Sequence, residues 1–344
     1  MIDLDIIKRF QPKPRNRVGL DIGSHSIKIV ELSAVSAKPG LISFGLKKIP
    51  SSSKDAIVES LKALAEESKI SVKELNISVS GPSVIVRLIS MPKMTDEELK
   101  GAVRFETEKF IPFDINDCIL DFQVLGKEAK DKNTVDIILA AVKKEYAWQK
   151  IKLVEEAGFT VKTVDVDSFA ITNSFLRNFS SIDPAKTFAV LNIGAVGTSL
   201  SILRGIMPSF VREVAVGSNE LDAAISKKLN VSAEAAEELK MAPKDKMSDV
   251  LACIKPVLSN LLDEIKLSFG YHENQSGRSI DEIYISGGGA GVVGLDDAFA
   301  EAFGMKPVRW NPFQFLDTNM PGIDINALER DKNAFSVAVG LALR

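Results

Sequence analysis

The chain has few of the residues that most often announce an enzyme or a secreted scaffold. It contains two histidines, His25 and His272, and two cysteines, Cys118 and Cys253. Zinc chemistry and a Ser-His-Asp relay are therefore poor candidates. Two cysteines so far apart read as reduced thiols, not as a disulfide framework. Aromatic side chains make up only 7% of the 344 residues, and the formal net charge is -3, so no general affinity for nucleic acid is expected. No run reaches the roughly 18 uncharged apolar residues that a membrane span requires, and no signal-peptide pattern is present. With 45% hydrophobic and 26% charged residues, the expectation is a cytoplasmic globular protein with two sizeable cores.

What is present is a duplication. Val18 to Leu32 (VGLDIGSHSIKIVEL) and Ala189 to Leu203 (AVLNIGAVGTSLSIL) each show an apolar strand ending in Asp21 or Asn192, then Ile-Gly, a turn of small or polar residues, and a second strand. Leu41 to Ile49 and Ile206 to Val214 can supply a third strand to each copy, and amphipathic helices follow at Lys54 to Lys69 and Ser218 to Leu229. Two β-β-β-α units imply two facing lobes with a cleft between them. The first turn, Gly23-Ser24-His25-Ser26, lets backbone N–H groups approach an anion, with the hydroxyls as further donors and Lys28 as a nearby charge. Gly194, Gly197 and Thr198 offer the same grip from the other copy. Phosphate is the natural guest, and Asp21 is then placed to hold a magnesium ion directly or through water. A strand at Ile283 to Ser286 runs into Gly287-Gly288-Gly289, where bare backbone can lie against a nucleoside.

These three motifs, in this order, resemble the actin, Hsp70 and sugar kinase superfamily, a duplicated two-lobed α/β fold of ribonuclease H-like units. Its two connecting helices are similar to the segment starting Asp167-Ser168-Phe169-Ala170 and to Ala334 to Leu341. Within it, Val79 to Pro92 (VSGPSVIVRLISMP), Met94 to Glu98 (MTDEE), Lys109 to Asp114 (KFIPFD), Asp121-Phe122-Gln123 and Val164 to Ala170 (VDVDSFA) resemble the PilM family of type IV pilus assembly, with FtsA more distant. The resemblance implies an ATP-binding actin-like scaffold, peripheral at the inner membrane. It would dock the N-terminal tail of a PilN-like inner-membrane protein and link it to other pilus and motor components, with a homo-oligomer also open. The superfamily also implies that Glu220, Lys227 and Lys240 are candidates for touching the nucleoside, and that Asp167 stands where relatives orient attacking water, a helix N-cap being the alternative reading of that residue. Asn192 replaces the usual second aspartate, so ATP binding is better supported than turnover. A filament-forming FtsA-like protein and a small-molecule kinase are the alternatives.

The expected organisation is a lead over 1–17, a first lobe over 18–82 and 161–185, an inserted subdomain over 83–160, and a second lobe over 186–229 and 280–330. A helical insertion covers 230–279, and a C-terminal helix over 331–344 returns to the first lobe. In the lead, Ile2, Ile6, Ile7 and Phe10 can share a helical face beside basic residues, against the simpler reading of an unstructured lead. In the subdomain, a strand from Ser83 to Ile89 is expected to be closed by Pro92, further strands are expected at Cys118 to Leu125 and Val135 to Val142, and Thr95 to Glu98 is a capping box for a helix expected to reach Phe110 and stop at Pro112. Ile111 and Phe113 flank that proline, where not every side chain can be buried, and are candidates for contacting the partner peptide; sealing the subdomain core is the alternative. In the second insertion, Val250 to Ile265 carries a helical apolar stripe expected to be interrupted at Pro256.

Overall fold

A computed structural model describes residues 16–33, 38–125, 133–179 and 182–344. The apolar face of the lead lies outside them. The first lobe opens with β1 (Arg17–Ile22), β2 (Ser26–Leu32) and β3 (Leu41–Lys48), followed by α1 (Lys54–Glu67) and β4 (Glu74–Val79). The inserted subdomain comprises β5 (Val84–Pro92), α2 (Asp96–Thr107), β6 (Cys118–Leu125), β7 (Thr134–Lys143) and α3 (Lys144–Glu156). The chain then returns through β8 (Thr160–Val166) and α4 (Asp167–Asn178).

The second lobe repeats the plan with β9 (Thr187–Ile193), β10 (Thr198–Arg204), β11 (Met207–Val214) and α5 (Ser218–Leu229). Two inserted helices follow, α6 (Ala233–Met241) and α7 (Met247–Ser276). Then come β12 (Glu282–Ser286), α8 (Leu295–Phe303), β13 (Val308–Arg309), α9 (Ile325–Asp331) and α10 (Ser336–Ala342). Strand orders β3-β2-β1-β4-β8 and β11-β10-β9-β12-β13 are superposable plans, each with an antiparallel meander and then parallel strands. The duplicated, two-lobed fold expected from the sequence is therefore the fold observed.

The lobes are joined by close backbone packing of α4 and α10. A Cβ on Gly340 would fall 1.8 Å from the Ala170 carbonyl oxygen, and one on Gly19 of β1 would fall 2.1 Å from that of Ala338. Only hydrogen fits at either position. Ala170, Ile171 and Phe175 of α4, with Val337 and Leu341 of α10, share one core with Phe188, Val190 and Tyr284 of the second lobe. Burial of that core holds the lobes to a common hinge.

Three element boundaries differ from expectation. Strand β5 continues through Pro92, opposite Thr134 of β7, because β5 is an edge strand and the missing N–H faces away from its only ladder. Helix α2 does have its capping box at Thr95 and Glu98, yet ends at Thr107. Beyond it, tighter turns carry the chain, with Lys109 N–H donating to Glu106 O and Phe110 N–H to Thr107 O. Helix α7 runs unbroken for 30 residues across Pro256. Proline removes the N–H that would reach Ala252 O four residues back, and the Lys228 ammonium donates to that carbonyl at 3.1 Å in its place. Among the described residues no helix is long and apolar enough to cross a membrane.

Candidate functional site

Both glycine hairpins and the β12 loop open onto one cavity of about 970 Å³ between the lobes. In the first hairpin, Gly23 N–H donates to Ser26 O at 3.2 Å, which closes the turn and leaves Ser24 exposed at its tip. A Cβ on Gly23 would come within 3.0 Å of both Ser26 O and Lys28 Nζ. Asp21 lies opposite Lys28 across the β1–β2 ladder, and their side chains pair at 3.0 Å.

Asn192 and Ser199 occupy the equivalent places in the second hairpin. There Gly194 N–H donates to Gly197 O at 2.9 Å, and the N-terminus of α5 secures the loop by donating from Ser218 N–H to Gly194 O. Asn192 Oδ1 accepts from Ser336 Oγ at 2.9 Å and Ser286 Oγ at 3.3 Å, so its carbonyl end is anchored to α10 and β12. At the third loop Gly287 adopts φ +95°, and a Cβ there would lie 2.3 Å from Ile193 O. Gly288 is different: a Cβ on it would meet nothing within 4 Å, so its bare backbone faces the open cleft.

Not every expected residue reaches the cavity wall. Thr198 is buried and donates its hydroxyl to Val216 O at 2.8 Å, which makes it a brace for the hairpin. Gly289 packs on Ile193, while Glu220 is exposed on α5 and lies outside the lining. Lys240 does line the cleft, paired with Asp222 at 2.7 Å. His25, in the turn expected to grip phosphate, has its Nε2 3.4 Å from Glu237 Oε1 of α6. Lys48 of β3 donates to both oxygens of the same carboxylate at 2.8 and 2.7 Å, so one glutamate of the second lobe meets two side chains of the first. Burial opposes ionisation of Glu237, but the Lys48 hydrogen bond and the charges of Lys48, His25 and Lys240 overcome it and hold the carboxyl below its usual range.

Two further groups on the cleft wall, Glu213 and Lys150, carry no signal in the sequence. Glu213 of β11 is pushed up to about 7, first by its enclosure in the cleft and then by the charge of Asp167; a nearby Ser199 hydroxyl only partly offsets this. Glu213 is an exposed residue on the cavity wall, alongside Asp167 and Ser199. Asp167, the first residue of α4, is likewise raised by burial and by Asp21, against the hydroxyls of Ser78 and Ser80 and the charge of Lys150. Lys150 comes from α3 of the inserted subdomain, and its ammonium donates to Ile22 O at 3.0 Å. Burial lowers its pKa, while Asp167 and Asp21 work in the other direction. At Ile111 and Phe113 both side chains are partly buried, the Lys143 ammonium lies 5.2 Å over the Phe113 ring, and neighbouring Phe110 is exposed.

A duplicated pair of lobes with a glycine hairpin from each and a third loop on the same cleft is an actin-like architecture. Residues 19–344 match the family model described as type IV pilus assembly protein PilM. The chain belongs to that family. A solved structure of a PilM–PilN type IV pilus biogenesis complex is 29% identical, covers 97% of this chain and 99% of that one, and superposes with a TM-score of 0.86. The ethanolamine utilization protein EutJ from Carboxydothermus hydrogenoformans is 13% identical over 97% of this chain and 90% of its own, with a TM-score of 0.58. MreB5 of Spiroplasma citri bound to AMPPNP is 13% identical over 96% of each chain, with a TM-score of 0.50. The last two share the fold alone.

Proposed function

We propose that this protein is an ATP-binding scaffold that turns nucleotide over slowly or not at all. It docks the cytoplasmic N-terminal tail of a PilN-like inner-membrane protein and is held at that membrane, beside the other inner-membrane and motor components, through its partner. The observation that carries the nucleotide reading is the convergence of Gly23, Gly194 and Gly288 on one cleft. Backbone at these positions is kept bare, and a Cβ on Gly288 would occupy the space a nucleoside needs. Asp222 Oδ1, buried in the same wall without a partner, is a polar group that a ligand can satisfy. Among the described residues no three His, Cys, Asp or Glu side chains gather around one point. Magnesium would therefore rely on the phosphates with Asp21 as its carboxylate, and when bound it would neutralise phosphate charge. Calorimetric titration of the purified protein with Mg-ATP tests the reading directly, and absence of binding overturns it.

Hydrolysis is expected to be slow because Asn192 presents an amide where a carboxylate would order the metal's water. Asn192→Asp keeps both serine hydrogen bonds and should raise the phosphate-release rate. That gain should vanish in the double variant with Asp167→Ala. A gain that survives there would remove Asp167 from the reaction.

The cleft should also answer to pH. Glu213 gains its charge as pH rises through about 7, and an added negative charge facing a polyanion weakens binding. Mg-ATP affinity should therefore fall between pH 6 and 8 more steeply in the native protein than in Glu213→Gln, which cannot ionise. Parallel profiles would place that carboxylate away from the phosphates.

Partner docking is assigned to the turn after α2, where Phe110 is exposed and Ile111 and Phe113 flank Pro112. A solved relative is a PilM–PilN complex, which supports a PilN-like partner without bearing on where it docks. Ile111→Asp and Phe113→Asp, still folded and binding nucleotide, should lower affinity for a PilN-tail peptide at least about tenfold, as expected for loss of one apolar anchor. Unchanged affinity in both variants would move the groove elsewhere.

A further inference from the structure

Four lysines line the cleft, namely Lys28, Lys48, Lys150 and Lys240. Three are committed: Lys28 to Asp21 at 3.0 Å, Lys48 to Glu237 at 2.7 Å and Lys240 to Asp222 at 2.7 Å. Lys150 is the exception, because among the described residues no carboxylate lies within the 4.0 Å of an ion pair. Its ammonium has three N–H donors. One goes to Ile22 O, and the side chain lies along the ring of Tyr146 one turn earlier on α3, with Nζ 5.9 Å from the ring centroid. Tyr146 in turn donates its hydroxyl to Ser80 O, which fixes the helix against the cleft floor. The remaining donors belong to a charge held in place without an ion-pair partner among the described residues.

The position of that charge is specific. Ile22 is the residue immediately before Gly23, so the ammonium stands at the root of the first hairpin. Asp167 and Asp21 both act on it electrostatically, so it sits near the carboxylates expected to face attacking water and magnesium. An anion gripped by the hairpin and extending toward Asp167 would meet it. We propose that Lys150 binds the terminal phosphate of a nucleoside triphosphate and thereby makes the cleft select triphosphate over diphosphate. This rests on the nucleotide reading above and adds a residue to it from the inserted subdomain. A charge-assisted hydrogen bond to phosphate is directional and much stronger where water is thinned out. A diphosphate would leave the ammonium as it is now, held by Ile22 O.

Mg-ATP and Mg-ADP affinities of the native protein and of Lys150→Met and Lys150→Gln test this by calorimetry. The native protein should prefer Mg-ATP, and Lys150→Met should weaken Mg-ATP about 10- to 100-fold while Mg-ADP moves less than about threefold. Lys150→Gln keeps a donor for Ile22 O but no charge, so it should behave like Lys150→Met; it also decides the matter if the methionine variant fails to fold. Native-like Mg-ATP binding in Lys150→Gln would show that the residue serves only the hairpin and overturn the proposal. Equal weakening of both nucleotides would overturn it too, as would a native protein without preference. Loss of all nucleotide binding in the native protein would be a failure of the nucleotide reading itself.

Discussion

Gly340→Val is expected to leave little or no folded protein, although the residue itself does not line the cleft. A Cβ there would sit 1.8 Å from the carbonyl oxygen of Ala170, and both atoms belong to helix backbones that cannot rotate away. The helices would have to separate, opening the core that Phe175 and Leu341 share with Tyr284 of the other lobe. Overpacking a core side chain costs about 1–3 kcal/mol, and a backbone collision at a fully buried hinge belongs at or above the top of that range. Even Gly340→Ala should lower stability by about 3 kcal/mol, read as a shift in the urea midpoint. A midpoint that stays put would mean that α4 and α10 do not approach so closely.

Gly288→Val is expected to do the reverse, leaving the fold intact and removing nucleotide binding. Unlike Gly287, Gly288 is not among the glycines with positive φ, and a Cβ on it meets nothing within 4 Å. The unliganded variant should therefore melt within about 0.5 kcal/mol of the native protein. Its branched side chain would instead project into the cleft, where backbone is bare on the wall that follows β12. A loss of at least about 100-fold in Mg-ATP affinity, close to 2.7 kcal/mol, is expected. Gly287→Val is the contrasting control, because φ +95° and the 2.3 Å approach to Ile193 O make it a folding defect first. Native Mg-ATP affinity in Gly288→Val would take the nucleoside away from this loop.

Local chemistry was legible in the sequence because its causes are local. The α5 range and the Cys118–Leu125 strand follow from periodicity and alternation over a few residues, and the Thr95–Glu98 capping box from hydrogen bonds three residues apart. The duplication was legible for the same reason, since each hairpin is a contiguous strand-turn-strand. Helix α7 departs from expectation at Pro256 because the repair comes from outside the helix: Lys228 supplies the donor that proline removes. Nothing within several residues of Pro256 records that.

The sequence by itself determined that there are two copies of one unit, which turns carry bare backbone, and that Asn192 stands where Asp21 stands in the first copy. Hydrophobic periodicity and glycine placement are properties of short segments, and short segments are enough to specify them. Only the tertiary structure decided what the cleft contains besides its turns. Glu213 reaches it from β11, Lys150 from a helix of the inserted subdomain, and Glu237 from the opposite lobe to meet His25 and Lys48. Those charges lie on segments far apart in sequence, and each is an ordinary surface residue by pattern. Their proximity arises when α4 and α10 close the two lobes about Gly340. Only then do burial and neighbouring carboxylates act on them, raising Glu213 and leaving Lys150 with no ion pair among the described residues.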